Sequence, residues 1–168
     1  MQSKKITRLA LFTALASVLS ILEGMFPLPI PLPGVKLGLA NIVSLSMLAT
    51  MGLSDTLLMT ILRCTISSLY AGSPVSFVLS LSGGVFSVLI MKLFLTYDFG
   101  LIAVSVTGAL CHSLAQIAVY ALFLRDTAIF SYFPILCISG IFSGIFVALS
   151  SFYLIRFLKQ FPSKRMSL

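Results

Sequence analysis

Six apolar runs, separated by breaks of a few residues, fill the chain from Ile6 to Leu158, and no other feature restricts its fold so severely. The runs cover residues 6–24, 37–51, 56–71, 75–95, 99–124 and 132–158. About 20 apolar residues in a helix cross the hydrocarbon of a bilayer, where a helix satisfies its backbone polar groups internally. The expected fold is an all-α integral membrane protein: a compact six-transmembrane-helix bundle forming one domain over residues 1–168. Composition argues against a soluble alternative. Apolar residues make up 59% and charged residues 9%, whereas a soluble domain is roughly 25% charged. The second and third runs are shorter than a comfortable crossing, which points to little tilt or to burial among longer neighbours.

The breaks carry turn chemistry. Gly52-Leu53-Ser54-Asp55 is expected to turn, with Ser54 or Asp55 capping the third helix. Gly72-Ser73-Pro74 is expected to turn with Pro74 opening the fourth. Tyr97-Asp98 and Arg125-Asp126 separate the remaining runs. Basic residues precede the first run, as in a signal peptide, but no small-residue cleavage site follows it and the next segment is equally apolar. It is read as the first membrane helix.

Charge placement gives an orientation. Six crossings put both ends on one side. That side holds Lys4, Lys5, Arg8, Lys92, Arg156, Lys159, Lys164 and Arg165, while the other holds Lys36 and Arg125. Positive residues stay inside, so both termini are expected in the cytoplasm of a multi-pass plasma-membrane protein. The net charge of +7 flanks spans and is not interleaved with aromatics on a soluble surface, which argues against nucleic acid as a partner. Cys64, Cys111 and Cys137 lie in apolar runs with no metal-ligand spacing. They read as small apolar residues.

The segment Phe26–Gly34 alternates prolines at 27, 29, 31 and 33 with apolar residues. Proline fixes its own backbone and moves its predecessor out of the helical region, so this segment is expected to be extended, close to polyproline II. Its prolines also lack N–H donors, which lowers the cost of an apolar setting. It reads either as a lid over a cavity or as a rigid connector against the bundle. Glu23 and Lys36 flank it.

Ionisable groups within spans are costly and face protein or water. Arg63 falls near the middle of the third run. It reads either as an ion pair, with Glu23 the obvious acidic candidate, or as a site for an anionic ligand. His112 and Gln116 stand four apart in the fifth run and share a face, with Gly108 one turn earlier. Asn41 lies early in the second run. Glu23, Lys36, Asn41, Arg63, His112 and Gln116 form the candidate ligand-binding set. Small residues recur on helix faces, Gly140-Gly144-Ala148 in the sixth run and Ser76, Ser80, Gly83 or Gly84, and Ser87 in the fourth. Such faces let helices approach closely in lipid.

Nothing in the chain reads as catalytic. Its four acidic residues, at 23, 55, 98 and 126, are widely separated and form no aspartate-rich magnesium site. No Gly-Lys-Ser/Thr phosphate loop is present, and no nucleophile is recognisably paired with a base. No enzyme activity, metal or cofactor is expected.

Three stretches carry a family resemblance: Glu23 through Asn41 with its prolines, Leu79-Ser-Leu-Ser-Gly-Gly84, and Gly108-Ala-Leu-Cys-His-Ser-Leu-Ala-Gln116. They resemble the Gx transporter family, often labelled heptaprenyl diphosphate synthase component I. That family in turn looks like the substrate-binding S components of energy-coupling factor (ECF) transporters. The resemblance implies a six-helix subunit that takes a small-molecule substrate on its outer side, beneath the first loop. It also implies a transmembrane coupling subunit and two cytoplasmic ATPases as partners. In S components an A-x-x-x-A face of the first helix meets the coupling subunit. Ala10 and Ala14, with Ser17 one turn on, match that pattern. Apart from lipid, no other class of partner is implied. The rival expectation is a non-transporting membrane accessory protein of isoprenoid or quinone metabolism, or of electron transfer across the membrane.

Overall fold

The computed structural model describes residues 2–25 and 37–160. The proline segment and Lys36 lie outside the described residues. Six helices account for nearly all of the rest: α1 Gln2–Met25, α2 Leu39–Met51, α3 Leu53–Ala71, α4 Pro74–Thr96, α5 Leu101–Leu124 and α6 Phe133–Gln160. A short 3-10 turn, Ala128–Tyr132, leads into α6.

Local chemistry places the breaks. Gly52 alone joins α2 to α3, at φ 93 and ψ −177, a region essentially reserved for glycine. Because this single residue starts α3 so early, Ser54 and Asp55 fall inside its first turn and neither caps it, contrary to the sequence expectation. Thr56 Oγ1 donates to the Gly52 carbonyl at 2.8 Å. Asp55 instead pairs with Lys5 Nζ at 2.9 Å. At the next break Pro74 stands in the first turn of α4, and Ser73 Oγ accepts the Ser76 N–H at 3.2 Å. Asp98 and Arg125 take positive φ values of 55 and 53 where α4 and α5 end.

The helices close a ring in the order α1, α3, α4, α5, α6, α2, and α2 also meets α3 and α4. This draws α2 inward. Residues 43–48 are all buried, which on a helix means burial all round. Thirteen residues of helix span only about 20 Å, short of the ~30 Å hydrocarbon. Neighbouring helices rather than lipid surround this middle stretch. Ser151 of α6 donates to the Ile42 carbonyl of α2 at 3.2 Å, tying the two together.

Among the described residues four helical stretches are long and apolar enough to cross a membrane: Ser3–Met25, Pro74–Thr96, Leu101–Leu124 and Ala128–Gln160. Large apolar side chains such as Leu69, Leu122 and Phe142 point outward from the bundle, as lipid contact allows. The fold is an all-α membrane-type bundle.

Small residues set the helix spacing. A Cβ on Gly144 of α6 would stand 2.7 Å from Val106 Cα of α5, so α5 and α6 approach through this glycine. On α1, Ala10 and Ala14 are exposed. Ser17 is buried and donates to the Thr13 carbonyl at 2.8 Å.

The two ends of the bundle differ. One gathers the start of α1, the end of α2 and the end of α6, with Lys4, Lys5, Arg8, Arg156 and Lys159. The other gathers the end of α1, the start of α2 and the 3-10 turn, and holds Glu23, Arg125 and Asp126.

Candidate functional site

In the half of the bundle away from the basic end, α1, α2, α3, α4, α5 and α6 each contribute to one small polar cavity of about 40 Å³. Glu23, Asn41, Arg63 and His112, four of the candidate ligand residues, line it together. Serines from four helices complete its polar wall: Ser20, Ser80, Ser113 and Ser143.

Arg63 dominates its electrostatics. The side chain is 5% exposed. Its Nε and Nη2 are buried and have no hydrogen-bond partner among the described residues. Among the described residues Glu23 makes no ion pair with it. Glu23 Oε1 accepts the Gly38 N–H at 2.6 Å, and among the described residues the ion pair is Lys5–Asp55. Gly38 has φ 78, the left-handed conformation that glycine adopts at little cost. The α1 carboxylate therefore fastens the entry to α2 and leaves the guanidinium to the cavity.

Adjacent glycines of α4 make room for the two large polar side chains. A Cβ on Gly83 would lie 2.9 Å from His112 Cε1, and one on Gly84 would lie 2.8 Å from Thr60 Cγ2 and 3.1 Å from Arg63 Nη2. The Gly83-Gly84 pair thus separates the α3 arginine from the α5 histidine by little more than backbone. In the sequence they stand on a small-residue face that suits helix packing. The signal that marks them is their position between the buried arginine of α3 and the histidine of α5, which appears only once α3, α4 and α5 are known to be neighbours.

Gln116 is not in the polar cavity. One turn beyond His112, it lines a second, larger cavity of about 280 Å³ with Val75, Leu79, Ile117, Tyr120 and Leu136. Its Nε2 donates to the Leu79 carbonyl at 3.3 Å. A carbonyl only accepts, so this bond fixes the amide orientation. Oε1 is then left buried and without a partner among the described residues. Ser80 lines both cavities, which makes them neighbours on either side of one α4 residue.

A third cavity, of about 350 Å³, lies at the basic end between Arg8, Phe12, Leu15, Met51, Leu154 and Lys159.

A family model matches residues 12–167, nearly the whole chain. The chain belongs to the family described as heptaprenyl diphosphate synthase component I. That description makes the family one component of a multi-component system, which implies partners. Neither a curated protein nor a solved structure matches the chain.

Proposed function

We propose that this member of the component I family is a non-catalytic, substrate-binding subunit of an ECF-type ATP-driven importer. It would serve a small micronutrient or a prenyl-, quinone- or flavin-related compound. The carrying observation is Arg63, a buried cation with one edge unpartnered among the described residues, in a cavity lined by all six helices. A buried cation left uncompensated costs several kcal/mol, so its retention there marks a binding group.

Orientation supports the reading. The basic residues gather at the opposite end, which the positive-inside rule assigns to the cytoplasm together with both termini. The cavity half then opens to the exterior, on the side where the proline segment joins α1 to α2. A binder without a phosphate loop draws its energy from partners, here a coupling subunit and two cytoplasmic ATPases. The exposed Ala10 and Ala14 on α1 give that coupling subunit a face for close approach.

Co-expression with a coupling subunit and its ATPases tests this directly. Ala14→Leu is expected to abolish co-purification of the complex while small-molecule binding, followed by native mass spectrometry, is retained. Undiminished co-purification sinks the docking face. The family description favours a second reading, an accessory subunit of prenyl-diphosphate synthesis without transport. Under that reading a soluble prenyl synthase subunit co-purifies and the ATPases do not.

A further inference from the structure

The two cavities of the outer half have complementary chemistry. The polar one is small and holds the buried guanidinium. The larger one is walled mainly by apolar and aromatic side chains, and Gln116 Oε1 is a buried acceptor there with no partner among the described residues. Gln116 is 8% exposed, so this acceptor too is withdrawn from bulk solvent. Ser80 alone is common to both linings.

The free edge of Arg63 specifies a head group. Nε–H and the outer Nη2–H lie side by side on one edge of a guanidinium and form a fork that matches two oxygens of a planar anion. Both are buried and without a hydrogen-bond partner among the described residues. Size narrows the choice. One water needs about 10–15 Å³ of such volume, so the 40 Å³ cavity holds about three water-sized groups. A carboxylate has three heavy atoms, whereas a diphosphate has nine. Charge narrows it further, because a dianion would meet one guanidinium and, in the same small space, the Glu23 carboxyl.

We propose that the ligand is a monocarboxylate with an apolar body. Its carboxylate lies on the Nε/Nη2 edge of Arg63, and its body passes Ser80 into the cavity of Gln116, whose Oε1 accepts a hydrogen bond from it. This rests on the binding-subunit reading and names its substrate class. It also separates the ligand from the diphosphates that the family description brings to mind.

Four probes sharing one bicyclic body decide the matter: 2-naphthoate, 2-naphthyl phosphate, 2-naphthalenemethanol and 6-hydroxy-2-naphthoate. Binding is measured at pH 7 on the intact protein in lipid nanodiscs, with empty nanodiscs correcting for partition. Naphthoate is expected to bind at least about tenfold more tightly than the phosphate or the alcohol. The 6-hydroxyl is expected to add about fivefold, and Gln116→Leu to remove that gain alone. Arg63→Gln is expected to weaken naphthoate by about thirtyfold and leave the alcohol unchanged. The head-group series on the unaltered protein needs no variant, so a misfolded Arg63→Gln leaves the test intact. Phosphate or alcohol binding that equals naphthoate overturns the carboxylate assignment, and failure of all four probes overturns the two-part site. Neither result touches co-purification with the coupling subunit and ATPases, on which the importer reading separately stands or falls.

Discussion

The two ends of this bundle hold their charges in opposite ways. At the basic end Lys5 is 61% exposed and sits 2.9 Å from Asp55, and the other cations reach outward along helix termini. In the cavity half Arg63 is 5% exposed, and two of its donors have no partner among the described residues. A solvated or paired charge at a helix end costs little and, in a membrane, fixes topology. A buried one without a partner is expensive. The contrast teaches that charge count bears on the proposed orientation, whereas charge burial bears on the proposed site.

Filling the space beside Arg63 breaks the comparison most severely. A Cβ at Gly84 already stands 2.8 Å from Thr60 Cγ2 and 3.1 Å from Arg63 Nη2. Gly84→Val is therefore expected to cost about 3 kcal/mol, at the upper end for overpacking, and to displace the guanidinium. Denaturant unfolding of the reconstituted protein should show the loss, together with at least about tenfold weaker naphthoate binding. Gly100→Ala is the control. Nothing lies within 4 Å of its added Cβ, and its φ of −58 suits any residue. Its effect should stay below about 0.5 kcal/mol. Equal effects at both glycines would mean that α4 has more room beside the arginine than this geometry allows.

Gly52 separates stability from binding. Nothing lies within 4 Å of an added Cβ there, yet its φ is 93. Gly52→Ala therefore strains backbone without a clash, for about 2 kcal/mol. It sits at the basic end, between α2 and α3, so binding in the cavity half should be unchanged in whatever protein folds. Weakened naphthoate binding by folded Gly52→Ala would show the two ends to be coupled through α2.

Much of this was legible in the sequence. The run 75–95 became α4, Pro74–Thr96, and the run 6–24 became α1, Gln2–Met25, because hydropathy and helix breakers act locally. The third helix began earlier than its apolar run, at Leu53, because glycine at a positive φ turns the chain in one residue. Arg63, His112, Asn41 and Glu23 stood out as polar groups in apolar runs, and one cavity contains all four. Partnership was not legible. Glu23 is the acidic candidate that the sequence offers Arg63, yet it takes the Gly38 N–H, a bond that depends on how the chain enters α2. His112 and Gln116 share a face at four-residue spacing but line different cavities, since one helical turn carries Gln116 past the Ser80 boundary. The enclosure of α2 likewise follows from ring closure between helices far apart in sequence.

The smallest expected effect lies in the Lys5–Asp55 pair, and it sharpens the comparison from the other side. Asp55 is 14% exposed and also stands in the first turn of α3, where a carboxylate favours the helix dipole. Asp55→Asn therefore removes two interactions and is expected to cost about 1 kcal/mol. Lys5→Gln removes one, from a side chain mostly in solvent, and is expected to cost less than about 0.5 kcal/mol. A double-mutant cycle then gives a coupling of about 0.5 kcal/mol, which about 0.5 M salt should largely screen. A coupling above about 2 kcal/mol that resists salt would place a buried, high-stakes charge at the basic end as well. The difference in burial would then no longer distinguish a binding end from a topological one, and Arg63 would lose its standing as the charge that marks the site.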